Sequence, residues 1–283
     1  MKHYKVIVMD VDGTLTNNEK KITAQTKEAL MNAQRKGMIL VLASGRPTTG
    51  LIELAKELEM DRYHGLLVSY NGSKVIDFTT KEVLFDQPLS IDEIKSILKH
   101  LKQFDITPMI DDGKNLYVEN PNGYRVDAET KGNHFILHQV DNLESFVTFE
   151  SNKILTSGIP AYMDEIFEEM KQPFENQLSC MFTAPFYIEY TAKGVDKARA
   201  LDTVLTHLGY HKDEVIAFGD GHNDASMIEY VGLGIAMENA VEALKEVANF
   251  VTLSNEEDGI AYALRKFCEG GDLDESQSYR HVC

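Results

Sequence analysis

Short, nearly continuous apolar runs recur along the chain, and helix-like segments separate them. The runs are YKVIVM at 4–9, MILVLASG at 38–45, GLLVSYNG at 65–72, EVIAFGDG at 214–221 and LGIAM at 233–237. A strand that alternates apolar and polar residues can face water on one side. A strand apolar throughout must be covered on both. The spacers supply the covers. Thr23 can cap a helix running to about Lys36 and closed by Gly37, and LIELAKELEM at 51–60 is helical. Later spacers are a helix at 196–209, NDASMIEYVG at 223–232, a helix at 240–248 and, after FVTL at 250–253, a last helix from about Asp258. Strand alternating with helix predicts an α/β fold with a doubly wound parallel sheet.

The rhythm breaks between about 84 and 187. SIDEIKSILKHLKQF reads as a helix capped by Ser90, and TPMIDDGKNLYVEN as a hairpin turning at Asp-Gly. NKILTSG reads as a strand, PAYMDEIFEEMK as a helix opened by Pro160, and SCMFTAPFYIEY as extended. Residues 1–83 and 188–268 therefore form one α/β core, and 84–187 an inserted α+β domain. The polar, Gly-containing tail at 269–283 is expected to be disordered.

At 283 residues, with 43% hydrophobic and 26% charged side chains, the chain can bury a sizeable core. The formal net charge of −17 opposes nucleic acid and anionic membranes as partners. No apolar run approaches the roughly 20 residues that span a bilayer. The first run ends in acids rather than a small-residue cleavage site, so no signal peptide is read there. Three scattered cysteines, Cys180, Cys268 and Cys283, with no CxxC, fit a reducing cytoplasm.

In an open parallel sheet, ligands sit beyond the carboxyl ends of the strands. Four segments converge there: Asp10-Val11-Asp12-Gly13-Thr14, Ser44-Gly45-Arg46, Asn71-Gly72 and Gly219-Asp220-Gly221-His222-Asn223-Asp224. Gathering Asp10, Asp12, Asp220 and Asp224 is unstable without a cation. Oxygen-only ligands with no Cys or His suit a hard ion, Mg²⁺, rather than zinc. A carboxylate beside such an ion can attack phosphorus and form an aspartyl-phosphate. Asp12 could then protonate the leaving oxygen and deprotonate water. Ser44 offers a hydroxyl, Gly45 a backbone N–H and a lysine a point charge to the phosphoryl oxygens.

These blocks resemble the motifs of the haloacid dehalogenase-like hydrolase superfamily, in its Cof-type sugar-phosphatase branch. DxDGT is Asp10 to Thr14, the strand-end Ser is Ser44, a Lys opens a helix, and GDxxND is Gly219 to Asp224. The resemblance implies a Rossmann-like core with an inserted C2-type cap that closes over the site and reads the leaving group. It implies Asp10 as nucleophile and metal ligand, and Asp12 as general acid/base with its carbonyl on the metal. Ser44 would bind phosphate, Asp220 would ligate Mg²⁺, and Asn223 and Asp224 would support the site. Thr14, Gly45, Arg46 and Asn71 are further candidates for holding phosphate or substrate. TAKGVDKARAL offers Lys193 and Lys197; the resemblance favours Lys197 by its distance before the helix-ending Gly209, and Lys197 also lies in the first turn of the helix.

Other signals carry less. GRPTTGLI opens like a P-loop, but Leu51 and Ile52 stand where Lys and Ser/Thr are required. GLGIAM lacks the third glycine of a dinucleotide fingerprint. His134 and His138 have i,i+4 spacing without an HExxH glutamate. The expected activity is Mg²⁺-dependent hydrolysis of small phosphorylated metabolites, sugar phosphates above all, by a monomer or small homo-oligomer. The rivals are a sugar phosphomutase, a metabolite-binding regulator with little turnover and a phosphorylated receiver domain.

Overall fold

The computed structural model describes residues 4–268, so the expectation for the tail lies outside the described residues. The chain begins with β1 (Val6–Met9), α1 (Ala24–Arg35), β2 (Ile39–Ala43), α2 (Thr49–Glu57), β3 (Leu66–Ser69), β4 (Lys74–Asp77) and β5 (Val83–Asp86). There follow α3 (Ile91–Leu101), β6 (Thr107–Asp111), β7 (Asn115–Val118), α4 (Val126–Gly132), β8 (Ile136–Gln139), α5 (Leu143–Phe146), β9 (Ile154–Ser157), α6 (Pro160–Lys171), β10 (Leu178–Ala184) and β11 (Tyr187–Ala192). The last stretch holds α7 (Lys197–Leu208), β12 (Val215–Gly219), α8 (Ala225–Tyr230), β13 (Leu233–Ala236), α9 (Glu242–Val247), β14 (Phe250–Val251) and α10 (Gly259–Cys268).

Two compact units result. The first takes residues 4–45, 51–85 and 196–268, and the second 46–50 and 86–195. The sheet of the first runs β14-β13-β12-β1-β2-β3-β4-β5. It is parallel from β14 to β3, and β4 returns antiparallel to β3 with Leu66 opposite Asp77. β1 is central, with Val6 in register with both Val215 and Ile39. Its side chains divide between two cores. Ile7 and Met9 pack with Leu30, Leu51 and Ile260, whereas Val6 and Val8 pack with Leu201, Val204 and Met227. All four strand residues are fully buried, each worth about 1.5–3 kcal/mol relative to exposure. Two-sided cover is why these strands read as unbroken apolar runs.

The sheet of the second unit runs β10-β11-β9-β6-β7-β8, antiparallel except where β7 meets β8. Ser90 caps α3 as expected. The Glu93 N–H donates to its Oγ at 3.3 Å, and the Glu93 carboxylate accepts from the Ser90 N–H at 2.8 Å. The sequence reading ends the insertion at 187. β11 instead pairs with β9 and β10, which carries the second unit to Val195, and its near edge falls after Phe85. The short elements α4, β8 and α5 and the addition of β4 and β5 to the sheet had no counterpart in the sequence reading.

Candidate active site

Asp10 is the residue after β1, and its N–H donates to the Phe218 carbonyl of β12 at 3.0 Å. The chain then turns back on itself. The Leu15 N–H donates to the Asp10 carbonyl at 3.2 Å, and the Thr16 N–H to the Val11 carbonyl at 2.9 Å. Gly13 makes the turn possible. Its φ is +86°, and a Cβ there would lie 2.4 Å from Asp220 Oδ2. Thr14 Oγ1 donates to Asp220 Oδ1 at 2.7 Å. Asp220 follows β12, so two neighbouring strand ends deliver their acids to one place.

Lys197 is the first residue of α7, whose N-cap Asp196 accepts from the N–H groups of Ala198 and Arg199. Its Nζ donates to Asp10 Oδ1 at 2.7 Å and to Asp224 Oδ1 at 2.6 Å, with no side-chain exposure. Asp224 Oδ2 accepts from the N–H groups of Asp220 and Gly221 at 3.0 and 2.9 Å. Carboxylate oxygens of Asp10, Asp220 and Asp224 lie within 4.8 Å of one another. One ammonium faces three acids. Burial, with Asp224 and Asp220 adding to it and Lys197 opposing, pushes the Asp10 carboxyl up to about 8. Burial also raises Asp220, to about 6, against the Thr14 hydrogen bond. Burial works against the Lys197 charge, yet Asp10 and Asp224 hold its pKa above the ordinary lysine value.

Asp12 sits outside this triplet. Its Oδ1 accepts from Lys20 Nζ at 2.8 Å, and its side chain is 38% exposed. Ser44 is buried at the end of β2, its N–H donating to the Val68 carbonyl and its carbonyl accepting from the Asn71 N–H, both at 2.9 Å. Asn71 adopts φ +57° in the turn after β3, and its Oδ1 accepts from Asn223 Nδ2 at 2.9 Å. A Cβ on Gly45 would stand 3.0 Å from the Asn71 amide. Arg46 groups with the second unit, where its Nη1 donates to the Gly50 carbonyl at 3.2 Å. Lys193 also belongs to the second unit and donates to the carbonyls of Glu175 and Asn176. His138 contacts Asn115 at 3.0 Å and stacks on Tyr117.

Sequence reasoning missed two asparagines. Asn239 Nδ2 donates to the Gly13 carbonyl at 2.8 Å, and Asn255 Nδ2 to the Thr16 carbonyl at 2.9 Å. Both lie just past strands, β13 and β14, and that position was the available signal.

The sequence matches the haloacid dehalogenase-like hydrolase family over residues 7–264. A curated relative, the 5-amino-6-(5-phospho-D-ribitylamino)uracil phosphatase YcsE of Bacillus subtilis, is 31% identical over 92% of this chain and 94% of its own. A solved haloacid dehalogenase-like hydrolase from Bacteroides thetaiotaomicron is 35% identical with a TM-score of 0.89, covering 93% of this chain and 99% of its own. The subclass IIB sugar phosphatase BT4131 is 26% identical with a TM-score of 0.76, covering 93% and 98%. The chain belongs to the haloacid dehalogenase-like hydrolase family and is one of its phosphatases.

Proposed function

We propose that this phosphatase hydrolyses small phosphorylated metabolites, sugar phosphates in the first place, with Mg²⁺ and through an aspartyl-phosphate on Asp10. The observation that carries the reading is the placement of Lys197 Nζ between Asp10 and Asp224, with Asp220 alongside. The donor set fits the ion: three carboxylates, no sulfur or nitrogen, and an excess of negative charge that a single ammonium does not balance. Asp10 and Asp220 would hold Mg²⁺, with the Asp12 carbonyl, and Asp224 would support them. The bound ion supplies charge neutralisation for the phosphoryl oxygens and the attacking carboxylate.

An Asp10 oxygen attacks phosphorus, and the bond from phosphorus to the ester oxygen breaks. Asp12 gives its proton to that oxygen. Asp12 then takes a proton from the water that attacks phosphorus and frees Asp10 and inorganic phosphate. Ser44, the Gly45 N–H and Lys197 meet the phosphoryl oxygens. Thr14 holds Asp220 in place, and the Asn71–Asn223 hydrogen bond braces the phosphate side of the site. Arg46 is assigned to substrate oxygens. The sugar-phosphate preference draws on relatives named for a phosphoribityl compound and a sugar phosphatase.

The test is para-nitrophenyl phosphate hydrolysis with Mg²⁺, with EDTA and with Asp10→Asn. The expected result is turnover with Mg²⁺ that EDTA and the substitution both abolish. A folded Asp10→Asn variant with parental activity would exclude the covalent route.

A further inference from the structure

The geometry points to Asn239 and Asn255 as positioning residues that clasp the loop carrying Asp12 and Thr14. This rests on the proposed roles of Asp10 and Asp12. Asp10 needs no such help, because β1 and Lys197 fix it. Past Asp12 the turn is tied back by the Leu15 and Thr16 N–H groups on the Asp10 and Val11 carbonyls and by Thr14 on Asp220, which leaves the Gly13 and Thr16 carbonyls to be held from outside the turn. The chain passes through Gly13 at φ +86°, a residue whose freedom would let the turn open. The carbonyls on the far side of the turn are where the two asparagines act. Asn239 takes Gly13, Asn255 takes Thr16, and the Asn255 N–H donates to Asn239 Oδ1 at 3.0 Å. The loops after β13 and β14 thus reach the loop after β1 as one chain of hydrogen bonds. A further link joins them where the Asn18 N–H donates to Glu256 Oε1 at 2.5 Å.

The amide orientation is set by the partners. Asn239 Oδ1 accepts from a main-chain N–H, so its Nδ2 must face the Gly13 carbonyl, and only an amide can do both. A carboxylate of the same shape would put an acceptor against an acceptor. Asn239 is exposed in the loop after β13, so that exchange leaves the cores untouched. The clasp holds the groups that act on the leaving oxygen and on Asp220, and leaves Ser44 and Lys197 alone. Its loss therefore lowers turnover while substrate binding persists.

The experiment compares the parent with Asn239→Asp and Asn239→Ala. Steady-state para-nitrophenyl phosphate kinetics are read with saturating Mg²⁺, and amide hydrogen exchange of Leu15 and Thr16 is read without substrate. The expected result is faster exchange in both variants and kcat reduced about ten- to a hundredfold at nearly unchanged KM, with Asp the worse of the two. Parental kcat in folded Asn239→Asp, or unchanged exchange at Leu15 and Thr16, would overturn the inference. A loss expressed in KM with kcat intact would overturn it as well. A parent without Mg²⁺-dependent turnover would instead sink the reading of Asp10, and the exchange rates would still decide whether the clasp holds the loop.

Discussion

Lys197 shows how one residue sets the character of the site. Its ammonium is fully buried between two carboxylates, with a third close by. Breaking a buried pair from one side strands the other, at a cost of about 3–5 kcal/mol. Lys197→Met should therefore lower the free energy of urea unfolding by an amount in that range at pH 8. Added Mg²⁺ should restore part of it, because the ion supplies the missing positive charge. Activity should fall by about two to three orders of magnitude, the usual effect of removing one charged donor from a site that develops charge. A variant as stable as the parent at pH 8 would mean that the acids are not charged together in the folded protein. The sequence favoured Lys197 over Lys193 without deciding between them; in the structure it is Lys197 that lies on Asp10 and Asp224, and Lys193 lies on the carbonyls of Glu175 and Asn176. Asp12 was legible as a residue but not as a partner. Nothing in the spacing announces that Lys20, in its left-handed turn, lies on the Asp12 carboxylate.

At the scale of elements, the turn after β3 meets the start of α7. Gly72 has φ +104°, and a Cβ there would lie 2.4 Å from the Asp196 carbonyl oxygen. Backbone stands in the way rather than a movable side-chain end, and the conformation itself disfavours a side chain. Gly72→Ala should cost roughly 1–3 kcal/mol of stability from the strained backbone alone. Because Asp196 caps the helix that Lys197 opens, kcat should fall with it. Urea unfolding and steady-state kinetics on the same sample check both, and an unperturbed kcat would mean that α7 keeps its place when the turn shifts. The core strands and their helices were legible because burial on both faces leaves continuous apolar runs. The hairpin at 107–120 was legible from its Asp-Gly turn. SCMFTAPFYIEY was legible as an extended part of the insertion, but the boundary drawn at 187 cuts through β11, whose full length is fixed by its pairing with β9 and β10, a tertiary contact that no local pattern marks. The Asn239 and Asn255 contacts were illegible for a related reason. They span 226 and 239 residues of sequence, and no local pattern encodes a partner so distant.

For the whole molecule the question is how a chain of net charge −17 holds an anionic substrate. Within the first unit the three acids outnumber their lysine, so the site itself lacks the positive charge that phosphate needs until a cation enters. On the proposed function, proton and metal would compete for the same oxygens. The Asp10 carboxyl is raised by burial to about 8 and Asp220 by burial to about 6, both above the carboxylate value of an unfolded chain. A raised folded-state pKa means that the native protein holds more protons than the unfolded one between roughly pH 4 and 8. Stability of the metal-free protein from these groups is therefore present at low pH and is lost as pH rises through the folded values. The Mg²⁺ of the proposed function would act in the opposite sense, since a cation binds the ionised form. The rise in melting temperature on adding a fixed Mg²⁺ concentration should be small at pH 6 and larger at pH 8, and half-maximal activation should need more Mg²⁺ as pH falls. In Asp220→Asn the metal-induced rise should shrink at every pH. A metal effect of equal size at pH 6 and pH 8 would mean that the ion binds without displacing protons from Asp10 or Asp220, and the triplet would then be held by Lys197 alone.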